Sequence, residues 1–447
     1  MLNYKRHLIL FAMCLGVCSL PMIFTATYPM LPTIGKDLSA SVTQLQWIIN
    51  IYGVVICSGL VACGRLADIY GRKRIYFIGI SFFIIGMLIS GLAPHTAWII
   101  FAYALVGLGG AILIPVSQAI IANVYPPEER SFAIGILMSV VGLAMAIGPL
   151  FGGLIAYWLS WRWMYLIIIP FSVISALFLW ILTPESSSDE NAPKVDWPGV
   201  IFLAIAISCF VLAVIQVQLW AHWIIGILWL ICVLAILGLV LIEKKTARPI
   251  VRGELFKDRN FLMASIANAC LIGFFWSALF VLPLYLENVR HYSAAETGAI
   301  TLFVTVPIAV FSLITGRLYH RFGPRILITL GFIFLLISAF TQMVFHPQTP
   351  FIYLMIATLT FGLGIGFAWS SSISAAMETL AEAHMGVGSG TFFTLQEMGG
   401  TVWLAITGTV LRLHSHLLHG YRNAMWILVL ISVIGLLSAF FMRKTKA

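Results

Sequence analysis

The sequence predicts an all-α integral membrane protein with fourteen transmembrane helices, built as two six-helix bundles with two further helices inserted between them. Three observations carry that prediction. Hydrophobic residues make up 61% of the chain and charged residues only 9%, too little charge to solvate the surface of a soluble protein of 447 residues. The apolar residues come in continuous runs of roughly 20, the length that carries a helix across a ~30 Å hydrocarbon core, whereas a barrel would show alternation. Two hydrophilic breaks, at 184–196 and 243–260, divide those runs as six, two and six.

The first six helices fall near 8–31, 45–65, 75–94, 97–122, 132–157 and 163–183. The inserted pair falls near 197–217 and 222–242. The last six fall near 261–286, 296–316, 325–345, 351–376, 386–411 and 424–442. The corresponding domains are 1–190, 191–260 and 261–447. With the N-terminus inside, 20 of the 25 Lys and Arg residues fall on the cytoplasmic side, Arg72, Lys73 and Arg74 among them. Only Lys36, Arg162, Arg290, Arg412 and Arg422 fall outside. That asymmetry predicts both termini in the cytoplasm of a cell whose plasma (inner) membrane holds the chain. It also accounts for the formal charge of +9 as topology and not as a nucleic-acid footprint. Helix 1 is too long for the apolar core of a signal peptide and more spans follow, so it is expected to be retained. The seven cysteines, scattered in apolar runs, read as packing residues.

An internal echo supports two related halves. Gly64-Arg65-Leu66 followed by Gly71-Arg72 recurs as Gly316-Arg317-Leu318 followed by Gly323-Pro324-Arg325, an offset of 252 residues (316 − 64). Each copy follows the second helix of its half, and paired six-helix halves are the repeat logic of alternating-access transporters.

The loop Gly64-Arg-Leu-Ala-Asp68-Ile-Tyr-Gly71-Arg72-Lys-Arg74 permits a tight turn at its glycines, and Asp68 and Arg72 stand four apart, within pairing reach. It resembles the G-x-L-a-D-r-x-G-r-k signature of the major facilitator superfamily. The resemblance implies that Gly64, Asp68, Gly71 and Arg72 form a latch between the halves. In helix 5, Gly135, Gly142, Ala146, Pro149 and Gly153 fall on a stripe of small residues that lets another helix approach. With Gly148 and Gly152, this run resembles the exporter motif G-x-x-x-G-P-x-x-G-G and implies efflux. Gln46-Trp47 with Tyr52, Trp161-Arg162-Trp163 with Pro170, and Leu282-Pro-Leu-Tyr-Leu-Glu287 resemble further stretches of the fourteen-span drug/proton antiporter (multidrug efflux) branch. Together these matches cover nearly the whole chain.

The departures are specific. Ile23 stands where that branch has an aspartate, Tyr28 where it has an asparagine, Tyr103 where it has an arginine, Val106 where it has a glutamine and Ile168 where it has an asparagine. The resemblance therefore carries neither proton coupling nor cation recognition over to the N-terminal half. The acidic residue expected mid-span is Glu397, with no Lys or Arg at its depth. A carboxyl out of water and without a counter-ion favours its neutral form, which suits either a proton carrier or an interhelical hydrogen bond. Thr25, Thr27, Tyr28, Asn50, Tyr52, Tyr103, Gln118, Asn268 and Gln396 are the candidates to line a central cavity, and each also reads as a satisfied packing residue. Aromatic residues beside few polar groups suit a lipophilic solute.

His414, His416 and His419 lie in the last external loop; their spacing permits a metal ligand set, but an exposed loop supplies no second shell, so no metal is expected. No phosphate-cradling GKS/GKT sequence appears, and no nucleophile–base set falls at membrane depth. Neither a cofactor nor enzyme activity is expected. The resemblance implies a secondary transporter exporting a lipophilic small molecule, with proton antiport. A specific endogenous metabolite such as a siderophore, and a transporter-like sensor, are the alternatives. Expected partners are the small-molecule substrate, membrane lipid and periplasmic accessory proteins, with the chain a monomer.

Overall fold

The computed structural model describes residues 2–183, 196–243, 253–379, 385–414 and 416–443. The two hydrophilic breaks thus lie largely outside the described residues. Among those residues, all regular structure is helical. The helices are α1 (Leu2–Asp37), α2 (Val42–Tyr70), α3 (Arg72–Leu92), α4 (Thr96–Val124), α5 (Pro127–Trp158) and α6 (Trp161–Leu182). Next come α7 (Trp197–Ile215) and α8 (His222–Glu243). A short 3₁₀ turn precedes α9 (Arg259–Asn288), α10 (Ala294–Met343), α11 (Phe351–Met377), α12 (Met385–Arg412) and α13 (Leu417–Phe441). Among the described residues, thirteen helical segments are long and apolar enough to cross a membrane, with α10 contributing two, Ala294–Ser312 and Arg321–Met343. The Gly- and Thr-rich α12 is not among the thirteen.

The repeat read from the loop glycines extends through the backbone. Gly71 (φ 96°) separates α2 from α3, and Gly323 (φ 73°) breaks α10 at the matching place, 252 residues later (323 − 71). Both sit in the left-handed region, where a side chain would strain the turn. Ser41 opens α2 with a capping box to Gln44, and Ser293 opens α10 with one to Glu296, again 252 apart (293 − 41). The only described non-glycine residues with positive φ, Ser39 and His291, share that offset (291 − 39). Local chemistry therefore sets the start and the end of the second helix identically in each half.

The N-terminal helices pack as α1 on α5 and α6, and α4 on α2 and α3. The C-terminal ones pack as α9 on α12 and α13, and α10 on α11. The halves meet along α5 with α10 and α2 with α12, while the α7–α8 pair rests on α2 and α12. Outward-facing Leu, Ile, Phe and Trp side chains, such as Leu177, Leu234 and Phe440, are exposed, which is the inverse of a soluble protein and the pattern of lipid contact. The face carrying the first residues of α1 and the last of α13 is called the terminal face below.

Of the stripe on α5, Pro149 and Gly153 meet α10, whereas Gly142 meets no helix, and the motif glycines Gly148 and Gly152 face a different partner. A Cβ on Gly148 would meet Thr25 and the Met22 carbonyl, and one on Gly152 would meet the Ala26 backbone, so these two glycines seat α1 within the N-terminal half. A Cβ on Gly153 would meet the Ala294 carbonyl and, at 3.1 Å, the Cα of Gly298, so Gly153 seats α10 of the other half. Gly298 in turn faces the Pro149 carbonyl. Nothing lies within 4 Å of a Cβ on Gly142.

Candidate functional site

Glu397 lies on α12 deep in the molecule and still keeps some accessible surface. Its position in the bundle explains its neighbours. Gly399 and Gly400, the next turn, let α9 approach so closely that a Cβ would strike the Ala269 backbone or, at 2.8 Å, the Trp276 ring. α9 thereby brings Asn268 beside Gln396. Ser372 Oγ donates to Asn268 Oδ1 (3.0 Å), Asn268 Nδ2 donates to Gln396 Oε1 (2.9 Å), and Gln396 Nε2 donates to Glu397 Oε1 (2.9 Å). The amide orientations follow from that network. Three helices thus point a chain of donors at one carboxyl oxygen. Among the described residues Glu397 Oε2 has no hydrogen-bond partner. Tyr28, Tyr52 and Cys57 stand close enough to interact electrostatically with this carboxyl.

An aromatic cluster spans the two halves next to it. Phe24 of α1 lies with its ring centroid 4.9 Å from Trp276 of α9, 5.0 Å from Tyr52 of α2 and 5.4 Å from Tyr28. Gly53 makes room for Trp276, since a Cβ there would stand 3.0 Å from its ring. Trp276 and Phe24 were not among the residues singled out in the sequence; the glycines at 53 and 400 were the available signal.

The other sequence candidates separate by what they touch. Thr25 donates to its own helix at Pro21 O (2.9 Å) and packs on α5, so it is a helix-contact residue. Thr27, Tyr103 and Tyr165 join their hydroxyls inside the N-terminal half, with Tyr103 filling the place of a family arginine. Asn268 and Gln396 belong to the Glu397 chain. Among the described residues neither amide atom of Asn50 nor the Tyr28 hydroxyl has a partner, although both residues are fully buried. Gln118 keeps partial exposure.

The face opposite the terminal face is closed by contacts between the halves. Thr33 Oγ1 donates to Glu287 Oε2 (3.4 Å), and Gln46 Nε2 donates to the carbonyls of Ala405 (2.9 Å) and Leu404 (3.3 Å). Arg412 is a hub. Its Nη1 reaches Thr43 of α2 (2.8 Å) and its Nη2 the final carbonyl of α7, Ile215 O (2.8 Å). Thr409 Oγ1 bonds Val214 O (3.1 Å), so α7 is tied to α12 twice. Sequence reading gave Glu287 and Arg412 no such role, because their partners lie hundreds of residues away.

The segment read as a loop is the end of α2, the turn residue Gly71 and the start of α3: Gly64 of α2 stands beside Pro115 of α4, and Arg72 Nη1, at the first residue of α3, donates to Ala119 O (2.9 Å). The Asp68 side chain and the surroundings of Gly135 lie outside the described residues. His416 and His419 have ring centroids 6.1 Å apart, and among the described residues no three metal-ligating side chains converge.

Two related helical halves that meet around a carboxyl within the bundle are the architecture of a membrane transporter. Residues 13–404 match the Major Facilitator Superfamily profile, and the chain belongs to that family. It is a secondary transporter and not an enzyme. It is 29% identical over 406 residues to Multidrug resistance protein 3 of Bacillus subtilis, covering 90% of this chain and 79% of that one. It is 27% identical to Multidrug export protein EmrB of Haemophilus influenzae (90% and 80% covered) and 27% identical to Riboflavin transporter RibZ of Clostridioides difficile (99% and 98% covered). The crystal structure of peptide transporter POT in complex with sulfate superposes with a TM-score of 0.69 at 16% identity, covering 97% of this chain and 93% of that one, which shows a shared fold.

Proposed function

We propose that this transporter exports a lipophilic small molecule across the cytoplasmic membrane by alternating access, in exchange for protons carried by Glu397. The observation that carries this reading is the placement of Glu397. A carboxyl with one oxygen held by Gln396 and the other without a protein partner among the described residues stands against an aromatic cluster drawn from both halves. The phenyl, phenol and indole faces there suit an apolar or aromatic cargo. The absent acid at Ile23 and cation at Tyr103 remove the charges that would select an ionic one. Relatives named for multidrug resistance or export support the outward direction.

In this reading α12 also spans and brings the number of spans from thirteen to fourteen, 1–190 and 261–447 are the moving bundles, and 191–260 is the inserted unit. Both termini are cytoplasmic, because Lys and Arg concentrate on the terminal face. The chain works as a monomer in the inner membrane, and periplasmic accessory proteins are its expected partners. Loop 64–74, with Asp68 and Arg72, latches the halves. The polar residues Tyr28, Asn50, Tyr52 and Gln118 are the cavity-lining set.

Cells lacking the protein are expected to accumulate several-fold more of a lipophilic fluorescent dye that wild-type cells exclude. Lower accumulation in those cells would reverse the direction assigned here. A second reading, export of one endogenous metabolite, is favoured by the near end-to-end match to a relative named as a riboflavin transporter. Comparing metabolites in the medium of cells with and without the protein separates the two.

A further inference from the structure

A groove of about 680 Å³ runs along the outside of the N-terminal half between α3 and α6, away from the Glu397 site. Its mouth is the first turn of α3, where Lys73 and Arg74 stand, and its walls are Phe77, Ile78, Phe82, Ile85 and Trp180. We propose that this groove binds one anionic phospholipid of the cytoplasmic leaflet, with the phosphate at Lys73 and Arg74 and an acyl chain along α3. The inference rests on the cytoplasmic placement of the terminal face given above.

The mouth is held in place by the protein. Lys73 Nζ donates to two carbonyls at the end of α6, Trp180 O (2.8 Å) and Thr183 O (2.7 Å), and lies 5.3 Å from the Trp180 ring centroid. Those bonds fix the ammonium without neutralising it, and a third N–H remains for a ligand. Arg74 is exposed beside it, and among the described residues no acidic side chain lines the groove. Trp180 packs edge-on against Phe77 at 5.3 Å, forming an interfacial aromatic wall at headgroup depth. Below it, Ser81 satisfies its hydroxyl on Phe77 O (2.7 Å), leaving an apolar surface. From Lys73 to Ile85 the helix advances about 18 Å, enough for a headgroup and most of one acyl chain. Ile78, Ile85 and Trp180 are exposed on the lipid side of the bundle, so the groove opens to the bilayer and not to the central chamber. A basic pocket at the cytoplasmic end of an apolar groove selects an anionic headgroup over a zwitterionic one. The mouth belongs to the segment 64–74, so an occupant sits directly against the region proposed to latch the halves.

The test is native mass spectrometry of the purified full-length protein equilibrated with equal phosphatidylglycerol and phosphatidylcholine. Wild type should keep one phosphatidylglycerol in strong preference. K73Q/R74Q should lose that preference by roughly 30-fold, about fivefold for each cation. Ser81→Trp, which fills the groove with both charges intact, should lose the bound lipid of either kind. Unchanged phosphatidylglycerol retention in both variants, or equal retention of the two lipids by wild type, overturns the proposal. Labelling of Arg74→Cys by an impermeant maleimide from outside the cell would instead refute the topology. The retention assay reads the groove whichever way the chain is oriented.

Discussion

Gly153→Leu is expected to abolish transport while leaving a folded protein in the membrane, whereas Gly152→Leu is expected to cost folded protein. The two glycines are neighbours on α5, yet they face different partners. A Cβ on Gly152 would fall on the Ala26 carbonyl of α1, inside one half, a neighbour as rigid as the Ala294 carbonyl that one on Gly153 would meet. Overpacking of that kind costs about 1–3 kcal/mol, and the α1–α5 contact is needed in every state of the cycle. A Cβ on Gly153 would fall on Ala294 and Gly298 of α10, across the boundary between halves, a contact that must remake itself each time the halves rock. Leucine there wedges the two helices apart in one state and leaves each half intact. Dye export should fall at least about tenfold in Gly153→Leu with an unchanged thermal unfolding midpoint. Gly152→Leu should lower the midpoint itself. Normal export in Gly153→Leu, or equal loss of stability in both, would remove the distinction.

Much of this was legible in the sequence, and for identifiable reasons. Continuous apolar runs give the spans, and the loop glycines give the repeat, because both are local patterns. The same locality let the repeat reappear in the structure as paired capping boxes at Ser41 and Ser293 and paired turns at Gly71 and Gly323. Helical periodicity put Gly153 on a stripe with Gly142 and Pro149, and the family resemblance added Gly148 and Gly152, but neither says which helix each residue meets. Arg412 looked like an external loop charge because its partners, Thr43 and Ile215, are remote in sequence. Thr25 looked like a cavity residue because a buried hydroxyl bonded to its own helix is indistinguishable, in sequence, from one facing a solute.

Glu397→Gln is expected to have the largest effect on coupling. The glutamine keeps size and hydrogen-bonding capacity but holds no titratable proton, so Gln396 can still bond its side-chain oxygen. The chain from Ser372 through Asn268 should persist and the fold with it. What disappears is the carboxyl proposed to take a proton from one side of the membrane and release it to the other. Ile23 and Tyr103 offer no replacement, since neither position supplies a carboxyl or a base. Cargo exchange down its own gradient should survive, because the rocking of the halves needs no proton at that position.

The most direct measurement is dye transport by purified protein in proteoliposomes, with and without an imposed proton gradient. Wild type is expected to concentrate dye up to about tenfold under a pH difference of one unit, the ceiling for exchange of one proton per dye. Glu397→Gln is expected to carry dye only to equilibrium whether or not the gradient is present. A wild type indifferent to the gradient, or a glutamine variant that still answers it, would contradict proton exchange through Glu397.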